Sequence, residues 1–441
     1  TKVIGDSGDS VDLVDFPIVI NESGTWLRNS GFTGGRIENV DGYDIIFKDS
    51  TETTVLAHEI ENYYEGSEAA NGELVAWVKI PTLDANDNTV IYMYYGNSCI
   101  SEETQNKNAV WNANYKGVWH MSEEAAGTGT PDLYQDSTVN AHHADDNVDA
   151  TGQEGQNDGG QQFDGIDDHA LVPDPGGAWE FSDGGLDGGT SDFSISAWVR
   201  LDSPSTVFPT ILKKGGGGPT NEGYWFNYYL TTGTLDLRVS DGTNRFIANS
   251  DTSLGLEGSG WHHVCAVFDR EVGTDTAYFY VDGNPAGSES DNLIANNSIT
   301  DDNDLSIGSN RSTTWYPWEG EVDEVRISNV VRTAGWIKTS FNNQDDPSLF
   351  YGLSEEQADG NQTPDDPTIN DHNDSSTTPD ETPTLGFTQS DPDVSEQVKY
   401  RIQIDATDNN FGNLVVDYTS DFMAEGAAAF TVGQAEGSGT Y

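Results

Sequence analysis

The segment GWHHVCAVFD at residues 260–269 holds two histidines, a cysteine and an aspartate. Imidazole, thiolate and carboxylate groups are the side chains that bind zinc or transfer protons. On a β-strand alternate side chains share a face, so His263 and Cys265 would lie together. Zinc needs three or four ligands, and the neighbouring sequence offers no CxxC or HxxxH partner. The mainly apolar faces of this segment therefore predict a strand buried on both sides, with His263 in the core.

Short apolar runs of strand length, such as LVAWVKI and SISAWVR, alternate with clusters of Gly, Asp and Asn along the chain. Turn signals such as VDGN at residues 281–284 separate pairs of these runs. This pattern is typical of antiparallel sandwiches, so we predict an all-β fold of several β-sandwich domains. One helix is predicted within residues 332–344, where Trp336, Ile337 and Phe341 share a face.

The composition is strongly acidic, with 75 Asp and Glu against 19 Lys and Arg and a net charge of -56. Such a chain lacks the cations that phosphate contacts require, which excludes nucleic acid as a partner. Self-repulsion would be relieved by molar salt, so a halophilic or marine protein is predicted, with an ordinary acidic secreted protein as the alternative. No apolar run approaches the roughly 18 residues of a membrane span.

Composition changes along the chain predict its domain organisation. The polar segment at residues 99–112 follows a strand and reads as a linker. From Ser354 to Glu381 there are nine acidic residues and no Lys or Arg, which is typical of an extended, charged linker. The predicted domains are a β-sandwich at 1–98, a larger sandwich at 113–353 and a partial sandwich at 382–441.

Five segments within residues 113–353 occur in the order found in a known family. They are GVWHMSE, QFDGIDDHALVPD, DFSISAWVR, WHHVCAVFD with AYFYVDGNPAG, and EGEVDEVRISNVVRT. Together they resemble LamG-type, concanavalin A-like jelly rolls. The resemblance implies a two-sheet jelly roll, an extracellular or cell-surface location, and a role in carbohydrate binding, protein binding or adhesion.

The flanking regions resemble two further families. DFPIVI, LVAWVKIPTL and TVIYMYYGN within residues 1–98 are similar to an uncharacterised domain that often precedes LamG modules in microbial surface proteins. His58 and Glu59 recur in its pattern and are interpreted as structural. VKYRIQI within residues 382–441 resembles the first half of a fibronectin type III or Ig-like domain.

The LamG resemblance also implies a calcium ion. Related jelly rolls bind one between a DSTGN-like loop and the DEVRI strand, which here match DSTVN at 136–140 and the segment containing Asp323. Asp136, Asn140 and Asp323 are thus candidate ligands, since calcium takes carboxylate and amide oxygens. The alternative is that they are solvated turn residues. FDGIDD at 163–168 is interpreted as a turn between strands.

Aromatic residues in the loop NRSTTWYPWEG suggest a carbohydrate site. Trp315 and Tyr316 are the candidate stacking residues, and Trp318 is predicted to lie in the core. The acids of EGEVDEVRI superficially resemble the paired carboxylates of glucanases, but the segment matches the non-enzymatic LamG ending, so no catalytic residue is predicted. Asn-x-Ser/Thr sequons occur at Asn21, Asn296, Asn310, Asn361 and Asn373.

The sequence therefore predicts an extracellular adhesion or surface-display protein whose LamG-like module binds glycan and calcium. Its partners would be glycans or surface proteins. Two alternatives stay open: a structural subunit of an extracellular filament or surface layer, and a non-catalytic part of a secreted glycan-degrading enzyme. The first and last modules resemble incomplete domains, so we expect either a longer chain or strands donated by neighbouring copies.

Overall fold

The computed structural model describes most of the chain as far as residue 356 and isolated strands beyond it. The described residues are 2–3, 11–123, 129–177, 179–216, 222–251, 253–271, 273–294, 297–310, 316–354, 356, 368–369, 384–389, 397–398, 401–405, 414–419, 423–424 and 426–431. They belong to two compact units, Thr1–Ser354 and Glu355–Tyr441.

The first unit begins with a small sandwich, which we call the first sandwich. Its strands are β1 (Lys2–Val3), β2 (Leu13–Gly24), β3 (Ile46–Asp49), β4 (His58–Tyr64), β5 (Gly72–Leu83) and β6 (Thr89–Tyr94), with a 3-10 turn at Thr25–Leu27 and a short helix α1 (Lys107–Val110) after them. One sheet has the order β2-β5-β4 and the other contains β1, β6 and β3. Alternating residues such as Phe16, Ile18 and Ile80 fill the core between the sheets.

The larger part of this unit is a jelly roll. Its strands are β7 (Tyr115–Trp119), β8 (Asp145–Asn147), β9 (Gln161–Asp164), β10 (His169–Val172), β11 (Phe193–Leu201), β12 (Thr210–Gly215), β13 (Gly223–Tyr229), β14 (Thr234–Ser240), β15 (Arg245–Asn249), β16 (Trp261–Glu271), β17 (Thr274–Val281), β18 (Asn284–Asp291), β19 (Leu305–Ile307) and β20 (Glu319–Ser328), with a 3-10 turn at Phe181–Asp183. One sheet runs β15-β14-β13-β12-β19-β10-β8, and the other runs β18-β17-β16-β11-β20-β7 with β9 also paired to β20. Their inner faces form one continuous core, which confirms the predicted all-β sandwich architecture.

The end of the unit ties the jelly roll to the first sandwich. Helix α2 (Ala334–Asp345) confirms the predicted helix; it is followed by α3 (Pro347–Phe350) and β21 (Tyr351–Gly352). Strand β21 pairs with β1, and the Phe350 and Tyr351 side chains lie in the core of the first sandwich. The Asn343 side chain accepts a hydrogen bond from the Val19 N–H and donates one to the Val19 carbonyl.

The second unit is described only as paired strands. They are β22 (Thr368–Ile369), β23 (Thr384–Gln389), β24 (Gln397–Val398), β25 (Arg401–Asp405), β26 (Leu414–Thr419), β27 (Met423–Ala424) and β28 (Gly426–Thr431). The pairings are β22-β23-β28, β24-β27 and β25-β26. All are antiparallel, and the predicted Ig-like or fibronectin-like character of residues 382–441 stays a prediction.

Two β-bulges decide where acidic side chains of the first unit point. In β4 the register with β5 shifts between Ile60 and Asn62, so Glu61 is an extra residue. In β20 the register with β11 shifts, so Glu324 and Val325 lie opposite Ala197, and Glu324 has a positive φ of 54°. A bulge re-aims the side chains beside it, and this one puts Asp323 and Glu324 together on the outer face.

Candidate functional site

The jelly-roll sheet that runs from β15 to β8, which we call the β15–β8 sheet, carries a row of polar and aromatic side chains on its outer face. Directly paired residues across it are Ile247, Arg238, Trp225, Lys213 and Ser306. The intervening residues of the same strands point into the core, as the two-residue period of a strand requires. The Lys213 ammonium lies 5.4 Å from the centre of the Trp225 ring. Trp225, Lys213 and Ser306 are buried on this face, whereas Arg238 is half-buried and Ile247 is exposed, so a ligand would reach the face at its β14–β15 end.

A cluster of half-buried aromatic rings lies at one end of this face, and we call it the aromatic cluster. The Phe208 and Tyr229 rings stack with centroids 4.5 Å apart, and Tyr316 meets Phe208 edge-on at 5.5 Å. The Arg238 guanidinium lies 4.2 Å from the Phe208 ring centre and is paired with Asp236. Tyr316 is thus part of an aromatic surface, while Trp315 lies outside the described residues.

Beside that cluster, Trp318 lies in the core, as predicted from sequence. Its side chain is fully buried, and its indole N–H donates a hydrogen bond to the Arg200 carbonyl. It is therefore not available to stack on a ligand.

The candidate calcium ligand Asp136 is buried and already holds its own loop. Its Oδ1 accepts from the Val118 and Thr138 N–H groups, and its Oδ2 accepts from the Thr138 hydroxyl and the His142 N–H. These four donors occupy the lone pairs that a cation would use. The hydrogen bonds of Asp136 are those of a residue that orders its own loop rather than those of a calcium ligand.

The other two calcium candidates are also engaged. The Asn140 amide donates to the Tyr115 and Lys116 carbonyls. Asp323 accepts hydrogen bonds through Oδ2 from the Gln156 and Asn157 N–H groups, while its buried Oδ1 finds no hydrogen-bond partner among the described residues. We derive no calcium chemistry from this set, and the calcium site stays a prediction.

FDGIDD forms a tight turn with an acidic cluster. The Asp168 carboxylate accepts from the Asp149 and Asp164 N–H groups, and one carboxylate oxygen from each of these three residues lies within 4.8 Å of the others. Burial raises the pKa of Asp168 to about 6. The hydrogen bonds give these acids a structural role between β9 and β10, in agreement with the turn interpretation.

The GWHHVCAVFD segment is strand β16, buried on both faces. Val264, Ala266 and Phe268 lie in the jelly-roll core, while Cys265 and Val267 pack against Ile337 of α2. Among the described residues, the groups of three possible metal ligands do not include His263 or Cys265. Burial raises the pKa of the Cys265 thiol to about 12, so it is not a thiolate at neutral pH.

A second group of titratable residues lies between the first sandwich and the jelly roll. We call it the buried acid cluster. It consists of Glu59 and Glu61 of β4, His120 just after β7, and Asp323, Glu324 and Arg326 of β20. Trp77 and Trp111 border it: the Trp77 ring stacks on His120 at 5.7 Å, and the Arg326 guanidinium lies 4.3 Å from the Trp77 ring centre.

His120 is surrounded by carboxylates on both ring nitrogens. Its Nδ1 lies 2.8 Å from Glu324 Oε1 and 3.5 Å from Glu61 Oε2, and its Nε2 lies 3.4 Å from Glu59 Oε2. Burial disfavours the charged ring, but the three carboxylates outweigh it and hold the pKa of His120 well above its usual range. The three carboxylates therefore favour the protonated His120 ring.

The four carboxyls of the cluster have different partners. Glu59 accepts hydrogen bonds from the Trp111 indole and the Ser137 hydroxyl, and Glu324 is paired with Arg326 at 2.5 Å. Glu61 accepts from the Trp77 indole through Oε2, while no residue that the structure describes hydrogen-bonds its buried Oε1. Burial raises the pKa of Glu61 well above its usual range.

The buried acids of β20 are engaged in ion pairs and hydrogen bonds. Glu321 is nearly buried and paired with Arg200 at 2.5 Å. Asp323 and Glu324 are taken up by backbone amides and by the buried acid cluster. Retaining and inverting glycosidases need two carboxyls facing the scissile bond. The hydrogen bonds and ion pairs of these acids instead hold neighbouring segments in place.

Of the predicted glycosylation sites, Asn21 and Asn310 lie among the described residues. The Asn21 side chain on β2 is half-buried and donates to the Asn157 carbonyl, and its backbone bonds the Tyr351 hydroxyl. The half-buried Asn310 accepts a hydrogen bond from Lys213. Asn296, Asn361 and Asn373 lie outside the described residues.

Two family models match the chain. Residues 164–338 match the concanavalin A-like lectin/glucanases superfamily, and residues 41–181 match a domain of unknown function (DUF2341). Residues 164–338 are thus the part of the chain that matches a concanavalin A-like domain. The resemblance drawn from the sequence is thereby confirmed, with the uncharacterised domain preceding it. The buried acid cluster takes residues from both matched segments, Glu61 and His120 from one and Glu324 from the other.

Two solved structures are among those similar to the chain. A sialidase from Trypanosoma rangeli is 19% identical with a TM-score of 0.36, covering 53% of this chain and 33% of that one. A CBM40 module of the Ruminococcus gnavus IT-sialidase is 13% identical with a TM-score of 0.33, covering 41% and 96%. This chain thus spans about a third of the Trypanosoma sialidase. No curated protein matches significantly.

Sequence reasoning did not identify the buried acid cluster. His120 belongs to the motif GVWHMSE, and Glu59 follows His58 in a pair that the sequence pattern indicates to be structural. A signal was present in Val-Asp-Glu-Val at residues 322–325, where two consecutive acids break the alternation of a strand. That break indicates a bulge, but it does not identify the strand that the acids face.

The described helices are all too short or too polar to cross a bilayer.

Proposed function

We propose that the protein is an extracellular, non-catalytic glycan-binding module that serves adhesion or surface display. The observation that carries the proposal is the aromatic cluster on the outer face of the concanavalin A-like domain. Tyr229 and Tyr316 offer half-exposed rings beside the Arg238–Asp236 pair. Sugars bind through ring stacking on their C–H faces together with hydrogen bonds to their hydroxyls, and this cluster supplies both kinds of contact.

The opposite sheet supports this choice of face. Its outer side is packed against the first sandwich and α2, through Val118 with Trp77 and Cys265 with Ile337. The β15–β8 sheet is the one whose outer face bears the aromatic cluster. A glycan at this site would lie away from the buried acid cluster, so binding and the integrity of the unit can be measured separately.

The test is a glycan array probed with the full chain at high salt, followed by titration of the best ligand. We expect Tyr229→Ala and Tyr316→Ala to weaken binding about threefold to tenfold each, because a stacked ring contributes roughly 0.5–1.5 kcal/mol. The matched control is Tyr278→Ala, which removes an exposed tyrosine from β17 of the opposite sheet. That variant should bind as the parent does.

Two outcomes would refute the proposal. Either the array shows no glycan bound above background, or the bound glycan is unaffected by both tyrosine variants. Turnover of the glycan would contradict the non-catalytic assignment. Regular polymers in electron micrographs of native material, without glycan binding, would favour the structural filament or surface-layer alternative.

A further inference from the structure

We infer that the buried acid cluster is a site for a divalent transition-metal ion of the zinc type, bound by Glu61, His120 and Glu324. One ligand atom from each of these residues lies within 4.8 Å of the other two. Imidazole nitrogen with carboxylate oxygens is a donor set that suits zinc. Glu61 belongs to the first sandwich and Glu324 to the jelly roll, so the ion would link the two.

The distances leave little rearrangement for an ion to enter. Ligands about 2.1 Å from a tetrahedral zinc ion are roughly 3.4 Å from one another. His120 Nδ1 and Glu61 Oε2 are already 3.5 Å apart. Nδ1 and Glu324 Oε1, now hydrogen-bonded at 2.8 Å, would separate by a few tenths of an ångström. Binding requires that the metal replace the Nδ1 proton, that both glutamates be ionised, and that their oxygens, now within 4.8 Å of each other, adjust to the ion.

Glu59 supplies the partner that a metal-bound histidine needs on its other nitrogen. Its Oε2 lies 3.4 Å from His120 Nε2, and it is itself fixed by the Trp111 indole and the Ser137 hydroxyl. A carboxylate that accepts the second ring N–H orients a histidine ligand and makes it a stronger donor. Glu59 is thus a positioning residue, and the histidine is oriented with Nδ1 towards the two other carboxyls.

Two buried oxygens without partners independently point to a ligand. Glu61 Oε1 and Asp323 Oδ1 have no hydrogen-bond partner in the part of the chain that the structure describes, and both side chains are almost fully buried, at 2% and 1% exposure. Buried charge is costly unless it is compensated, and one divalent cation supplies that compensation.

The experiment is zinc binding to the full chain, purified with chelator and kept in molar KCl with excess Mg2+ to occupy weak surface carboxylates. We expect one Zn2+ per chain after gel filtration, measured by elemental analysis, and a rise in Tm of about 5 °C. Glu61→Gln should weaken zinc binding at least a hundredfold, and Glu59→Gln about tenfold to a hundredfold. Glu73→Gln, which changes an exposed acid on β5, should bind as the parent does.

X-ray absorption at the zinc edge distinguishes this site from its competitors. Nitrogen and oxygen ligands with one imidazole support the inference, whereas sulfur ligation would place the ion at Cys99 or Cys265 and overturn it. Absence of stoichiometric zinc in the parent would also overturn it, as would unchanged affinity in Glu61→Gln. Circular dichroism is used to check that each variant is folded. His120→Gln removes the imidazole ligand itself; if that variant unfolds, the zinc affinity of Glu61→Gln still tests the inference. Glycan binding failing in the same samples would refute only the proposed function.

Discussion

The ring of His263 lies inside the protein, where burial lowers its pKa to about 3, helped by the nearby positive charge of Arg326. Its Nδ1 has no hydrogen-bond partner among the described residues. The ring lines a cavity of about 20 Å³ with Arg326 and Ser340, enough for one water molecule. Asp282 and Glu324 oppose the shift but do not cancel it. His263 is therefore a neutral core residue, as its position on a doubly buried strand predicted.

This shift makes stability depend on pH in a defined direction. The unfolded chain takes up the His263 proton as the pH falls below about 6.5, but the folded chain does so only near pH 3. Stability from this residue is thus present above pH 6.5 and is lost on acidification. We expect His263→Phe to remove up to ~5 kcal/mol of that loss between pH 6.5 and 3.

The measurement is denaturant unfolding of parent and His263→Phe in metal-free buffer at constant salt. Other carboxyls and histidines titrate in both proteins, so the informative quantity is the difference between the two unfolding free energies. That difference should be constant above pH 7 and shift in favour of the variant as the pH falls. A difference independent of pH would show that His263 does not titrate in this way.

At the level of elements, helix α2 connects the two sandwiches. The Asn343 side chain hydrogen-bonds both the N–H and the carbonyl of Val19 on β2, and Trp336 packs edge-on against Phe16 at 4.7 Å. Strand β21 then pairs with β1. The jelly roll and the first sandwich are consequently held together after the last jelly-roll strand, as well as through the buried acid cluster.

Replacing Asn343 should reveal the strength of this connection. Asn343→Ala leaves a buried N–H and a buried carbonyl of β2 without partners, so we expect a loss of about 2–4 kcal/mol in the free energy of unfolding. Asn342→Ala is the control, because Asn342 is a half-buried residue with the same side chain on the same helix, next to Asn343. Equal denaturation midpoints for the two variants would contradict a connecting role for Asn343.

The sequence predicted elements better than it predicted how they meet. Strand β16 and helix α2 follow from local periodicity, which depends only on neighbours along the chain. The buried acid cluster depends instead on β4 and β20 packing together, and on a bulge in each. Asp136 shows the same limit, because a DSTVN loop binds calcium or its own backbone according to its folded conformation.

For the whole molecule, the few basic residues are drawn inward. Lys116, Lys213, Lys214, Arg326 and Arg332 are all buried, which accounts for five of the 19 Lys and Arg. Lys214, for example, pairs with both Asp174 and Asp187 in the interior. Cations that neutralise interior acids are not available at the surface. The surface therefore has few cations to offset its carboxylates.

Stability should consequently rise with salt over the range in which screening changes. The Debye length falls from about 30 Å at 0.01 M to about 3 Å at 1 M salt, so repulsion among surface carboxylates is strong at the first concentration and short-ranged at the second. We expect Tm to increase steeply between 10 mM and 1 M KCl, and the hydrodynamic radius to grow at the low end.

Sucrose provides the control for this prediction. It stabilises folded proteins by exclusion from their surface but carries no charge, so it should not restore the Tm lost at 10 mM KCl to its value at 1 M. Continued increase of Tm beyond 1 M KCl would reflect ion exclusion, because screening is nearly complete there. A Tm independent of KCl from 10 mM to 1 M would contradict the predicted adaptation to high salt, since a net charge of -56 would then be tolerated without screening.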